Sequence, residues 1–273
     1  MTKRNTADPD AGTSHALREA GWFIGLSMLL AGGAALAVGT LGAGFQFVLA
    51  LGPGVIAIVL AWRSRTLRRL LGSVVKRPAD ARWYLVLLLP VIGSLAVVPV
   101  AAFLGLPTAG LFGNLTATAL IIPFVVLLPA IAEEIGWRGF ILTRVLPRIS
   151  PLAAGLLIAI PWSLMHLGLY LPGQPYDGSA VWPSIVTVTA LSVIGTWIFI
   201  RTDGSVLMTS LFHAGFNAAT PFTWSVDPDA AWAIRPVIFA LIAFAVVLFG
   251  GLRASSRTDA AAHAGAIPVG SPS

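Results

Sequence analysis

The 273-residue chain contains no cysteine. This removes disulfide frameworks, thiol nucleophiles and Cys-based metal sites together. Charge is equally scarce: 10% of residues are Asp, Glu, Lys or Arg, against about 25% in an ordinary soluble domain. Histidine occurs four times. No HExxH segment is present, so the helical zinc-protease pattern is missing, and without a GxSxG elbow a serine-hydrolase reading is weakened. Internal repeats and low-complexity blocks are also lacking. What fills the chain instead is apolar: 57% of residues are hydrophobic and the mean hydropathy is +0.87, the composition of a multi-pass membrane protein.

A helix crossing the bilayer needs about 20 mostly apolar residues. Eight stretches qualify as candidates, at about 22–42, 45–62, 83–104, 112–132, 151–170, 182–200, 205–222 and 232–251. The fifth to seventh are interrupted by Pro161, His166, His213 and Asn217, and the seventh is short. The expected fold is an all-α polytopic membrane bundle. A polar N-terminal tail (1–21) precedes a transmembrane bundle (22–251), and an Ala/Ser/Gly/Pro-rich tail (252–273), expected to be disordered, follows it. The first apolar stretch reads as an uncleaved spanning helix, not a signal peptide.

Orientation follows from the basic residues. With the N-terminus cytoplasmic, 16 of the 17 Lys and Arg fall in cytoplasmic segments, seven of them between Arg63 and Arg82. Arg235 is the exception, while Asp177, Asp227 and Asp229 fall in outer loops. The bias implies an N-in, C-in topology. It also explains the net charge of +6 by positive-inside placement and contact with anionic lipid headgroups, with no need for nucleic acid. Tryptophans near span ends (Trp22, Trp62, Trp83, Trp182 and Trp232) suit interfacial anchoring.

Against this background the remaining polar residues stand out. Of eleven acidic residues, Glu133 and Glu134 alone lie at a helix end within reach of the bilayer. His166 and His213 lie inside predicted spans, and Asn217 follows His213 by four residues, on the same helical face. Ionisable residues at such depth are costly and point to function. A bundle could gather them around one partly hydrated cavity, which the glutamates would face in place of lipid. Glutamate and histidine are proton-transfer residues and also metal ligands. Arg138 lies four residues after Glu134, so on a helix not interrupted at Gly136 the two should pair. Glu133 then points about 100° away. Glu134 is accordingly expected to hold geometry and Glu133 to carry chemistry.

These residues resemble the motifs of the CPBP family, the CAAX-protease and bacteriocin-processing intramembrane proteases. Glu133-Glu134-x-x-x-Arg138, followed by Gly139-Phe140, is similar to its EExxxR motif; Trp162-x-x-x-His166 to its FxxxH motif, with Trp in place of Phe; His213-x-x-x-Asn217 to its HxxxN motif. The resemblance covers about residues 80–250, with the three motifs in order. It implies an intramembrane endopeptidase acting on membrane-associated peptides or proteins, in the cell membrane of a prokaryote. Glu133 and His166 would activate water, and His213 and Asn217 would stabilise the oxyanion. Whether Glu133, His166 and His213 hold a divalent metal such as zinc, or act without one, stays open. A proton-coupled transporter and a non-catalytic scaffold or immunity protein are the rival readings. The turn-rich loop 171–181 could gate access from the outer side.

Overall fold

The computed structural model describes residues 9–38, 42, 44–113 and 115–252. The expected C-terminal tail, apart from Leu252, lies outside these. Helix α1 (Pro9–Leu36) begins well before the predicted start of the first span. It is followed by α2 (Gly44–Arg63) and the short α3 (Leu67–Val74). A 3₁₀ turn, Ala81–Leu87, leads into α4 (Leu88–Leu95) and α5 (Val97–Phe103). Helix α6 (Ile122–Glu134) continues without a break into a π-helical segment, Ile135–Leu142, and a last turn, Thr143–Val145. Then come α7 (Pro151–His166), α8 (Trp182–Arg201), α9 (Val206–Ala218) and α10 (Pro228–Phe249).

Each of the eight expected spans has a helical counterpart, but the helices are not alike. Among the described residues six are long and apolar enough to cross a membrane. The α6 segment up to Glu134 and α9 have 13 residues each, about 20 Å at 1.5 Å per residue. These two carry the glutamates and the His213/Asn217 pair. They pack against each other, α6 also packs on α2, and α8 packs between α7 and α10. Helix α8 is the central post: 72% of its most apolar stretch is buried, against 22–39% for the other five long spans.

Close helix approach depends on small residues, as expected where lipid removes the hydrophobic drive between helices. A Cβ on Gly54 of α2 would come within 2.7 Å of the Ala132 carbonyl oxygen on α6. Ser192 of α8 donates to the Gly155 carbonyl of α7 at 2.7 Å. Outward-facing side chains are apolar: Leu29, Phe103, Phe124 and Phe249 are 73%, 89%, 81% and 86% exposed. Such a surface would be an aggregation hazard in water and is the proper one for lipid. The chain is an integral, multi-pass membrane protein.

The loops sort into two ends. At one end Arg144 pairs with Glu19 at 2.7 Å and reaches Thr66. At the same end Lys76 bonds the Asp203 carbonyl, and Trp197 and Arg201 both donate to the Gly250 carbonyl. At the other end Trp232 donates to the Ala180 carbonyl and the Ala109 amide to the Ser225 carbonyl. The segments expected to be cytoplasmic thus contact one another, and so do the outer loops.

Candidate active site

The two glutamates leave α6 in different directions. Glu134 turns inward and is buried. Its Oε1 accepts from Arg138 Nη1 at 2.9 Å and lies 3.1 Å from His213 Nδ1. The expected i, i+4 pair therefore forms, although the backbone between the partners is π-helical and not α-helical. All eight residues of this π segment are buried, and π turns recur at functional sites. Arg138 is wedged between elements. Its Nη2 donates to the Leu191 carbonyl of α8 at 3.1 Å, and its guanidinium lies 4.7 Å from the Trp162 ring centre. Gly195 makes room for it, since a Cβ there would sit 2.7 Å from Arg138 Nη2.

Glu133 turns toward the cavity, and its Oε2 accepts from Trp162 Nε1 at 2.6 Å. Sequence reasoning missed this bond. The signal overlooked was that indole carries a donor where phenyl has none. The Trp162 ring also packs edge-on against His166 and His213, at centroid distances of 6.3 and 5.4 Å. One aromatic side chain thus touches members of all three motifs. Trp162→Phe should lower kcat about tenfold with KM little changed, the size expected for losing a hydrogen bond to a charged group. Steady-state kinetics would check this, and an unchanged kcat would show that Glu133 is positioned by something else.

Both histidines are tied back through Nδ1. His166 Nδ1 lies 2.8 Å from the Trp162 carbonyl oxygen. A carbonyl can only accept, so Nδ1 carries a proton, and in the neutral imidazole Nε2 then keeps its lone pair. For His213 the acceptor on Nδ1 is the Glu134 carboxylate, which again leaves Nε2 for other work. Asn217, one turn further along α9, makes no side-chain hydrogen bond among the described residues. Glu133, His166, His213 and Asn217 all line one cavity of about 790 Å³. Tyr176 of loop 171–181 also lines it and stacks on Trp232 at 4.7 Å, so the loop packs over the outer part of the cavity.

Among the described residues no three His, Asp or Glu side chains come together closely enough to hold a metal ion. Glu133 is bonded to an indole, and Glu134 is committed to Arg138 and His213.

A multi-pass helical bundle with carboxylate and imidazole groups around an internal cavity defines the class: a membrane protein with a candidate hydrolytic site between its helices. Comparison with known proteins narrows it. Residues 114–219 match the family of Rce1-like type II CAAX prenyl endopeptidases, and this segment contains all three motifs. A CAAX prenyl protease 2 of Methanococcus maripaludis is 27% identical over 133 residues, which is 46% of this chain and 48% of the relative. The chain therefore matches about half the length of that relative. Over this segment the chain is similar to CAAX-family proteases, and the similarity falls on the stretch that carries the three motifs.

Proposed function

We propose that the protein is an intramembrane endopeptidase that hydrolyses a membrane-associated peptide or protein with a water activated by Glu133 and His166. The observation that carries this reading is the convergence of Glu133, His166, His213 and Asn217 on one cavity, with both histidines held by Nδ1 so that Nε2 is free. The cavity volume falls in the range of about 300–1,000 Å³ typical of ligand sites, room for a few residues of extended peptide. Phe47 of α2 and Val125 of α6 line it and are also more than half exposed on the bundle surface. The cavity therefore borders lipid there, which suits a substrate delivered from the membrane.

In this mechanism the Glu133 carboxylate, assisted by His166 Nε2, takes a proton from water as the water oxygen bonds to the scissile carbonyl carbon. The resulting oxyanion accepts from the Asn217 amide and from His213 Nε2–H. For that second bond His213 carries two protons, and its Nδ1–H donates to the Glu134 carboxylate. Collapse breaks the C–N bond, and the proton passes to the departing amine. No step runs through a metal. The same reading places the protein in the cell membrane of a prokaryote.

The test is incubation of the detergent-purified protein with a peptide library that includes hydrophobic and lipid-modified members. Wild type and Glu133→Gln are compared by mass spectrometry, each with and without a chelator. Cleavage by wild type alone, unaffected by the chelator, is expected. Equal products from both proteins would reject Glu133 as the centre, and loss of cleavage with the chelator would reject the metal-free route.

A further inference from the structure

Arg235 is the single basic residue that breaks the positive-inside pattern, and it stands about two turns into α10, lining the same cavity as the glutamate and histidines. Its partners are all neutral. Nε donates to Ser94 Oγ at 3.1 Å, Nη1 to Thr220 Oγ1 at 3.0 Å, and Nη2 to the Phe216 carbonyl. The guanidinium also lies 3.8 Å from the Phe216 ring centre. No carboxylate pairs with it among the described residues. The other arginines buried in the bundle differ in this respect: Arg138 has Glu134 and Arg144 has Glu19. A guanidinium has five N–H donors, so three bonds leave two N–H groups and a full positive charge at the wall of a mostly apolar cavity. Ionic groups at membrane depth are costly and are usually paired.

We propose that Arg235 is the anion-binding group of the cavity and takes a carboxylate of the bound peptide, either its C-terminal carboxylate or an acidic side chain. This rests on the proteolytic reading for the nature of the occupant. The chemistry favours a carboxylate because the planar fork of arginine matches it with two parallel N–H···O bonds. The three existing bonds fix the fork in place, so little side-chain freedom is lost on binding. Arg235 also holds the carbonyl of Phe216, the residue before Asn217, which places the anion subsite beside the proposed oxyanion donor. Binding there would set which peptide bond meets Glu133, making Arg235 a specificity-determining residue.

The test measures binding without turnover, on Glu133→Gln protein in detergent. The probes are a dansylated aliphatic tetrapeptide as the free acid, the same peptide as its C-terminal amide, and an amide version containing one Glu. Binding of at least one carboxylate-bearing probe should be tighter than that of the neutral amide by about tenfold or more. Adding Arg235→Gln should reduce the preference to less than about twofold, and Arg235→Lys should restore part of it. Which acidic probe binds separates the C-terminal from the side-chain carboxylate. Equal binding of acidic and neutral probes, or a preference that survives Arg235→Gln in a protein with unaltered thermal unfolding, would overturn the proposal. If Arg235→Gln does not fold, Arg235→Lys decides: its acid-to-amide ratio must fall below that of Arg235 for the proposal to stand. Failure of the proteolytic reading is distinguishable, because an inactive wild type with carboxylate-selective binding would reject proteolysis and keep the subsite.

Discussion

Glu133→Gln should lower kcat by about 10²–10⁴, the span associated with loss of a general base, and leave the thermal unfolding of the detergent-solubilised protein nearly unchanged. Both halves follow from its surroundings. The side chain faces the cavity and its hydrogen-bond partner is the Trp162 indole N–H at 2.6 Å. A glutamine in the same place can still accept that bond through its amide oxygen, so geometry is kept. Among the described residues no salt bridge reaches Glu133, and the charge of Arg138, a permanent cation that feels it, stays paired with Glu134. A scaffold would not register the change, and a proton-coupled transporter would lose pH-dependent flux without ever having cleaved peptide. Cleavage at the wild-type rate by a well-folded Glu133→Gln protein would remove Glu133 from the mechanism.

The contrast between neighbouring glutamates was legible in the sequence because it depends on short-range geometry. A spacing of four residues puts Arg138 beside Glu134, and the residue before it must then face elsewhere. What Glu133 faces was not legible: Trp162 is 29 positions away, and α6 and α7 meet through packing that no local pattern encodes. The π-helical segment was hidden for a related reason. Its composition, IGWRGFIL, is compatible with an α-helix, and the wider turn reflects how Trp137, Arg138 and Phe140 must all be buried together. The all-helical, multi-pass character could be read from apolar runs, since lipid imposes that pattern directly, while six of the eight expected spans are long and apolar enough to cross a membrane among the described residues. That α6 and α9 would be the short helices was half visible: α9 was marked as short, while the apolar run before Glu133 extended the fourth span backward past the actual helix start at Ile122. Trp232 was expected to anchor at the interface, yet it packs on Tyr176 and bonds the Ala180 carbonyl, so its role includes holding the outer loop. Arg235 was visible as an exception to the charge rule, but only the fold gives the exception a meaning, because only the fold shows that no acid among the described residues pairs with it.

The second large effect is on stability. Arg138→Met should destabilise the bundle by about 3–5 kcal/mol, the usual cost of breaking a buried ion pair by removing one partner. Glu134 and Arg138 are 2% and 0% exposed, so neither charge can turn to water when the other is lost. In the single variant the Glu134 carboxylate keeps His213 and Thr209 as neighbours but loses its permanent cation, and must either remain unbalanced or take up a proton. At roughly 2–4 °C per kcal/mol for a chain of this size, the melting temperature in detergent should fall by about 6–20 °C. The double variant Glu134→Gln/Arg138→Met removes both charges and should recover much of that loss, because buried pairs often contribute little net stability over apolar replacements. Activity should not recover with it. A glutamine at 134 can still accept from His213 Nδ1 through its amide oxygen, but it carries no charge to favour the second proton that His213 needs to donate to the oxyanion. A double variant with restored melting temperature and restored kcat would show that the Glu134–Arg138 pair is purely structural; restored stability with low kcat would show that the Glu134 charge, and not the ion pair's contribution to stability, is what the reaction needs.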